Sequence, residues 1–262
     1  MHTYDSIYGV VEVDPNTGEV LQCAYKGEEQ EFYTASMIKV VFADMIYKLG
    51  IDRATTIQVT KEHIVSAWGV LQLPDTPIHI SLELALYLMI IISDNTATNI
   101  VLQQIQQHGD INTLIRQFYN QEIDVVDPHI QVDFENFVWG AKAKLSDFLR
   151  VITHIIYRSP HQEALKKLLR NQYIKGRWLR YLADMQTTDA GNKTWHLDDL
   201  INDCGFIEKQ GRAFVYVGSV ATPTQYDFEY EAENPYCKLL GKEIHQQIQH
   251  MLQAPPPATP HT

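Results

Sequence analysis

Strand-like patterns lie at both ends of the chain, and the long middle section has helical periodicity. The β-rich stretches run over about residues 6 to 33 and 189 to 229, where branched and aromatic side chains cluster between turn residues. From residue 36 to about residue 181 the apolar positions recur at helical spacing. This order predicts a sheet built from both termini, with the helices supplied by the middle of the chain.

The end of the chain predicts one more helix and then a tail. An apolar stripe at helical spacing is typical of an amphipathic helix packed on a sheet, and its members are Leu239, Leu240, Ile244, Ile248 and Met251. Residues 253 to 262 are rich in proline, which donates to neither a helix nor a strand ladder. We therefore expect a disordered tail over residues 253 to 262.

Size and composition are those of a globular chain. With 262 residues, of which 45% are hydrophobic and 20% charged, the chain is long enough to bury a sizeable core. We expect a single domain over residues 1 to 252. Within it, residues 1 to 35 and 182 to 252 would form a sheet lobe, and residues 36 to 181 a helical lobe.

Charge and hydropathy exclude two classes of partner. The formal net charge is −11 and no cluster of Lys and Arg occurs, so binding to nucleic acid is not expected. The longest apolar run, residues 82 to 92, is too short to cross a bilayer, which takes roughly 20 residues. The first residues lack the pattern of a secretory leader, so we expect either a cytoplasmic protein or one whose leader has been removed.

Cysteines and histidines give no sign of a metal site or a disulfide framework. Cys23, Cys204 and Cys237 are scattered and odd in number, and the histidines do not recur at the spacing of metal ligands. We expect free thiols and no bound metal.

Ser36 and Lys39 are the first candidate catalytic pair. They stand one helical turn apart at the start of an apolar helical segment, so both side chains lie on one face. A serine hydroxyl becomes a good nucleophile when a neighbouring base takes its proton, and a lysine can be that base if burial lowers its pKa. The alternative interpretation is a helix N-terminus with a solvated lysine.

A second motif, Ser93-Asp94-Asn95, follows 57 residues after Ser36. Ser-x-x-Lys followed by Ser-Asp-Asn at this separation resembles the penicillin-recognising serine hydrolases, which comprise class A β-lactamases and the related D,D-peptidases. Residues 7 to 20 resemble the opening strand and hairpin of that family, and residues 92 to 101 resemble its helix junction. The resemblance extends from about residue 7 to about residue 252.

The resemblance implies a fold and a mechanism. The implied fold is an α/β (α+β) three-layer sandwich, with a five-stranded antiparallel sheet flanked by helices, an all-helical lobe, and the active site in the cleft between them. Ser36 would attack a carbonyl to form an acyl-enzyme, Lys39 would take its proton, and Ser93 would pass a proton to the leaving nitrogen. Asn95 would hold the amide of the acyl side chain. The backbone N–H groups of Ser36 and His196 would bind the oxyanion, and no metal or organic cofactor is required.

The third motif of the family, Lys-Thr-Gly on a core strand, has two imperfect candidates. They are Lys193-Thr194-Trp195 and Lys209-Gln210-Gly211. Two further strands can be read after the first candidate but only one after the second, and Gln210-Gly211 is itself a hairpin signal. We therefore assign Lys193 and Thr194 to binding of a substrate carboxylate. Trp195 would face the same side as Lys193, where the family has glycine, and would reshape or block the substrate site.

The fourth element of class A β-lactamases is a Glu-x-x-x-Asn on a loop after the Ser-Asp-Asn helix, where the glutamate activates the deacylating water, and no such spacing follows Ser93-Asp94-Asn95 in this sequence. Asp133 and Glu135 occupy the matching region and are candidate deacylation carboxylates, with a solvated loop as the alternative. Without such a base a β-lactam would acylate the serine and remain bound.

Four hypotheses follow for the function. The first is a serine hydrolase of β-lactamase type that acts on a small-molecule β-lactam or a related amide or peptide. The second is a D,D-peptidase or penicillin-binding-like amide hydrolase, and the third is a catalytically silent binding domain whose pocket is closed by Trp195. In the fourth, the motifs are coincidental features of a helical core.

Overall fold

The computed structural model describes residues 5–65, 68–121, 123–125, 141–174, 178–179, 189–197, 200–222 and 235–254. Its strands, in chain order, are β1 (Ser6–Val13), β2 (Val20–Lys26), β3 (Glu31–Tyr33), β4 (Thr56–Val59), β5 (Ile78–Ser81), β6 (Ile123–Val125), β7 (Ala141–Lys144), β8 (Asp189–Leu197), β9 (Leu200–Lys209) and β10 (Arg212–Ala221). Its α-helices are α1 (Lys39–Lys48), α2 (Leu82–Ile91), α3 (Asn95–Gln106), α4 (Ile111–Tyr119), α5 (Leu145–Tyr157), α6 (Gln162–Arg170) and α7 (Pro235–Gln253). Two single-turn 3-10 helices span Ala35–Ile38 and Lys61–His63.

The main sheet joins the two ends of the chain, as the sequence predicts. Its five strands pair in the order β2-β1-β10-β9-β8, and every pairing is antiparallel. A tight turn links β9 and β10, with Lys209 opposite Arg212. Gln210 and Gly211 occupy this turn with φ angles of +55° and +73°, the backbone that a two-residue hairpin requires. The strand β8 forms one edge of the sheet.

Alternate side chains of the sheet enter two separate cores. On β1, Ile7 and Val11 belong to the larger core, which also contains α1, α2, α3 and α5. Tyr8 and Val10 point to the opposite face and pack in a smaller core with α7. Because each strand residue points opposite to its neighbours, a sheet with apolar residues on both faces needs helices on both sides. The predicted fold, a five-stranded antiparallel sheet flanked by helices, is confirmed.

The middle of the chain contains short strands that helical periodicity does not predict. The strands β4 and β5 form a two-stranded sheet, and β6 and β7 join β3 in a three-stranded sheet. Each of these strands has only three or four residues. A two-residue alternation cannot be distinguished from a helical pattern over so short a stretch.

The C-terminal helix differs in one position from the predicted apolar stripe. Leu240, Ile244, Ile248 and Met251 are buried, but Leu239 is 55% exposed. The helix includes Gln253, which the sequence places in the tail, and residues 255–262 of the predicted tail lie outside the described residues. Within the described part of the chain, no helix combines the length and the hydropathy needed to span a membrane.

Candidate active site

Ser36 lies at the start of the helical region, directly below the sheet. It belongs to the single-turn helix that precedes α1 and is 1% exposed. The residue before it, Ala35, has a φ angle of +46°, a left-handed conformation that costs a residue with a Cβ roughly 1–2 kcal/mol. The Ser36 hydroxyl makes no hydrogen bond to any described residue. A strained backbone directly before a buried hydroxyl that has no hydrogen bond to a described residue is typical of a functional position.

Lys39 is the first residue of α1 and is buried to the same degree as Ser36. Its Nζ donates hydrogen bonds to the backbone oxygen of Ser93 at 2.9 Å, to Asn95 Oδ1 at 2.9 Å and to Ser93 Oγ at 3.1 Å. These contacts bring the first and second sequence motifs together. The alternative interpretation of Lys39 as a solvated lysine is therefore wrong.

Burial lowers the pKa of Lys39 well below the ordinary value of a lysine, because a dry site disfavours the charged amine. The positive charge of Lys193 lowers this pKa further, and the carboxylate of Asp94 partly opposes both effects. A neutral amine keeps two N–H donors and gains a lone pair. The two carbonyl-type oxygens around Lys39 suit the donors, and the Ser93 hydroxyl suits the lone pair, so this geometry permits a proton to pass between Lys39 and Ser93.

The Ser93-Asp94-Asn95 motif forms the junction between α2 and α3. Ser93 has a φ angle of +61°, which turns the chain sharply before α3 begins at Asn95. Asp94 is the N-cap of α3, and its Oδ1 accepts the backbone N–H of Ala97 at 2.9 Å. The cap fixes the orientation of the residues on either side of Asp94, both of which contact Lys39.

The central residues of β8 face this junction from the sheet. Lys193 is fully buried, and its Nζ donates to Ser93 Oγ at 3.0 Å and to the backbone oxygen of Thr194 at 2.9 Å. The Thr194 hydroxyl donates to the backbone oxygen of Asn202 at 3.1 Å. Lys209, the other candidate for this motif, lies at the turn between β9 and β10. Of the two candidates, the structure brings Lys193 to the serine-lysine cluster.

Trp195 lies over the serine-lysine cluster. Its ring centroid is 5.7 Å from Lys39 Nζ, and its side chain is 9% exposed. Trp68 packs edge-on against it, with ring centroids 6.3 Å apart and an interplanar angle of 70°. Trp195 therefore shares the face of β8 that carries Lys193, as strand alternation predicts, and fills space beside Lys39.

The remaining predicted site residues are described only in part. His196 lies in β8, where its backbone is opposite Ile201. Asp133 and Glu135, the candidate deacylation carboxylates, lie outside the described residues. Within the described ranges, no group of three His, Cys, Asp or Glu side chains could hold a metal ion.

Two residues of the site are missed by the sequence reasoning. Asp94 receives no role of its own there, although an Asp directly before an apolar helical segment is a standard N-cap signal. Trp68 carries no local signal at all, because its part in the site depends on a contact with a residue 127 positions later in the chain.

Comparison with known proteins identifies the family. The model of the β-lactamase enzyme family matches residues 2–248. The chain belongs to this family. It is thereby a member of a hydrolase family, in agreement with the resemblance of its motifs to the penicillin-recognising enzymes. No curated protein sequence matches the chain at a significant level.

Solved structures share the fold at low sequence identity. A β-lactamase from Sphaerobacter thermophilus is 20% identical with a TM-score of 0.73, and the match covers 95% of this chain and 92% of that one. PBP-A is 18% identical with a TM-score of 0.76, and the match covers 94% and 90%. A point mutant of PBP-A, solved as an acyl-enzyme complex with penicillin G, is also 18% identical with a TM-score of 0.72, covering 95% and 92%. At such identity the likeness establishes the fold alone.

Proposed function

We propose that this member of the β-lactamase enzyme family is a serine hydrolase that forms an acyl-enzyme on Ser36. The observation that carries the proposal is the buried contact of Lys39 with both Ser93 and Asn95. A lysine with a lowered pKa beside a buried serine has the chemistry of a general base. The Ser36 hydroxyl makes no competing hydrogen bond to a described residue, and catalytic contacts commonly tighten only when substrate binds.

In the proposed acylation reaction, the residues of the sequence motifs have separate roles. Ser36 attacks the carbonyl carbon while Lys39 takes its proton, and the backbone N–H groups of Ser36 and His196 stabilise the oxyanion. Ser93, which lies between the two lysine amines, passes a proton to the leaving nitrogen. Asn95 binds the amide of the acyl group.

The proposed substrates are β-lactams or related amides and peptides that carry a carboxylate. Lys193 and Thr194 are proposed to bind that carboxylate in a dry cleft, where a charge-assisted hydrogen bond is strong. Because the Thr194 hydroxyl already donates to Asn202, binding requires this hydroxyl to reorient.

A second candidate function, that of a D,D-peptidase or penicillin-binding-like amide hydrolase, is favoured by one feature of the sequence. After the Ser93-Asp94-Asn95 motif, the chain has no Glu-x-x-x-Asn to activate the deacylating water. A penicillin would then acylate Ser36 and leave slowly, whereas efficient β-lactam turnover needs a carboxylate from elsewhere. Asp133 and Glu135 are the proposed sources of that carboxylate.

Intact-protein mass spectrometry after incubation with a fluorescent penicillin tests both functions. A stable adduct on Ser36 would support the penicillin-binding enzyme, and a transient adduct with hydrolysed drug would support the β-lactamase. The variant Ser36→Ala should take no label, while Ser146→Ala, which changes a buried serine at the start of α5, should label like the unaltered chain. Equal labelling of Ser36→Ala would overturn the acyl-enzyme on Ser36.

Two further measurements complete the test. If no penicillin, D-alanyl ester or aryl ester acylates the chain, the proposed hydrolase is wrong and the silent binding domain is favoured. If the adduct is transient, Asp133→Asn and Glu135→Gln should differ in their effect on its lifetime, and the variant that lacks the deacylating carboxylate should hold the adduct longer.

A further inference from the structure

Two tryptophans line the approach to the serine-lysine cluster. Trp195 lies over Lys39 from the sheet side, and Trp68 packs against its ring from the loop between β4 and β5. Trp68 is 42% exposed, whereas Ser36 and Lys39 beneath are each 1% exposed. The indole pair therefore extends from solvent down to the catalytic amine.

Trp68 is held in place by the Ser-Asp-Asn junction itself. Its Nε1 donates to the backbone oxygen of Ile92 at 3.0 Å, and its backbone oxygen accepts the N–H of Asn95 at 3.2 Å. The following residues are fixed by Asp94, whose Oδ2 accepts the N–H groups of Val70 at 2.7 Å and Leu71 at 3.0 Å. The same junction thus positions the catalytic side chains and one wall of the approach.

The wall formed by Trp68 adjoins the acyl side of the site. Asn95, the residue proposed to hold the acyl amide, is hydrogen bonded to the Trp68 backbone. Aromatic rings prefer edge-to-face and offset contacts with other rings, and the two indoles meet at 70°. A planar apolar group that enters beside Asn95 would contact two ring surfaces in the geometries that aromatic pairs favour.

We propose that Trp68 and Trp195 form an aromatic subsite that binds the aryl part of an acyl donor, and that Trp195 restricts access of fused bicyclic β-lactams to Ser36. This proposal rests on the proposed acyl-enzyme on Ser36. A fused bicyclic ring with a carboxylate must lie along β8 to reach Lys193 and Thr194, and the Trp195 side chain stands on that face. An aryl ester is narrower at the reacting carbonyl and places its ring against the exposed indole of Trp68, beside the ring of Trp195.

The test compares p-nitrophenyl phenylacetate with p-nitrophenyl acetate, which share a leaving group. In both, the bond from Ser36 Oγ to the acyl carbon forms, the ester C–O bond breaks, and p-nitrophenolate leaves with the electron pair. The proton of Ser36 passes through Lys39 to solvent, and water later releases the carboxylic acid. The p-nitrophenolate burst gives the rate, and intact mass gives the site of acylation.

The unaltered chain should prefer the phenylacetyl ester by about tenfold in kcat/KM, relative to the spontaneous hydrolysis of the two esters, since an aromatic contact contributes on this scale. Trp68→Ala and Trp195→Gly should each lose most of this preference, largely through KM, and Trp195→Phe should keep part of it. Trp195→Gly should also accelerate acylation by penicillin G at least tenfold. Leu239→Ala, an exposed change on α7, should alter none of these values.

Other outcomes separate the subsite from the acyl-enzyme. An unchanged ester preference in Trp68→Ala and Trp195→Gly, with Ser36 still acylated, would overturn the subsite while leaving the hydrolase intact. Acylation of Trp195→Gly alone, with the unaltered chain inert to both esters, would also overturn it, because Trp195 would then merely close the site. If Ser36→Ala reacts as fast as the unaltered chain, the acyl-enzyme itself is wrong.

Discussion

The Nζ atoms of Lys39 and Lys193 both lie within hydrogen-bond distance of the same oxygen atom, the hydroxyl of Ser93, at 3.1 and 3.0 Å. One amine comes from the first turn of α1 and the other from the edge strand of the sheet. Two buried amines this close cannot both carry a charge cheaply, because each raises the cost of protonating the other. Burial is the main cause of the lowered pKa of Lys39, and the charge of Lys193 lowers this pKa further.

The pH dependence of acylation should report this coupling. Because the neutral form of Lys39 is the proposed base, the acylation rate of a neutral ester should rise with pH and reach half its maximum below about 10.4, the ordinary pKa of lysine. Lys193→Met removes the neighbouring charge, which raises the pKa of Lys39 and moves the profile to higher pH. Lys193→Arg keeps the charge and should leave the midpoint nearly unchanged. A midpoint that moves to lower pH in Lys193→Met would contradict this assignment.

Removal of the base should slow acylation without unfolding the protein. We expect Lys39→Met to lower the acylation rate of Ser36 by roughly 10²–10⁴-fold, the range of general-base catalysis. Circular dichroism and thermal unfolding should show a folded protein. Lys61→Met, a change of an exposed lysine in the short helix Lys61–His63, is the control and should retain the rate. A rate within twofold of the unaltered chain in Lys39→Met would exclude Lys39 as the base.

Asp94 should contribute more stability than an ordinary helix cap. Asp94→Ala removes the N-cap of α3 and leaves three buried or half-buried N–H groups without their acceptor. Caps are worth about 1 kcal/mol and hydrogen bonds to charged groups about 1.5–3 kcal/mol, so urea unfolding should show a loss above about 2 kcal/mol. Asp110→Ala, at the exposed cap of α4, should cost distinctly less. Equal losses in the two variants would contradict the bridging role of Asp94.

Gly69 should tolerate no side chain. Its φ angle is +127°, and a Cβ at this position would overlap the Asp94 carboxyl group. Gly69→Ala should therefore destabilise the protein and slow acylation, because Asp94 must move and with it the loop that carries Trp68. Gly211→Ala has a similar backbone problem, with φ at +73°, but meets nothing within 4 Å. It should cost only about 1 kcal/mol in urea unfolding and leave acylation unchanged.

A buried carboxylate on α1 should stabilise the helical region. Asp44 is fully buried and accepts hydrogen bonds from the hydroxyls of Tyr119 at 2.6 Å and Ser159 at 2.7 Å, with Lys48 Nζ at 3.2 Å. Tyr119→Phe should lower the free energy of unfolding by about 1.5–3 kcal/mol, the scale of a hydrogen bond to a charged group. Tyr87→Phe, whose hydroxyl contacts an exposed glutamate at 3.4 Å, should change it by less than about 0.5 kcal/mol. Urea unfolding of both variants measures these changes in the free energy of unfolding. Equal losses in Tyr119→Phe and Tyr87→Phe would contradict the stabilising role of the buried Asp44 carboxylate.

Local signals in the sequence predict the sheet that joins the termini and half of the site, and the fold class follows from the resemblance of the motifs to a known family. Strand patterns at both ends predict a sheet that joins the termini, and the β9–β10 turn follows from Gln210-Gly211. The pairing of Ser36 with Lys39 follows from one helical turn. These features depend on residues a few positions apart, where backbone geometry alone decides which side chains meet.

Tertiary structure decided the rest, since periodicity records which face a residue lies on but not what that face contacts. Ser93 and Lys193 are 100 residues apart, and their 3.0 Å contact exists only because an edge strand of the sheet passes the α2–α3 junction. Three further features depend on how the helices and strands pack against one another. They are the contact between Trp68 and Trp195, the hydrogen bonds of the Asp94 carboxylate to both α3 and the loop after Trp68, and the exposure of Leu239. The sequence by itself determined the helical middle, the strands near both ends and the chemical groups, whereas only packing determined that Lys39 is buried, that Lys193 lowers its pKa, and that an indole lies over it.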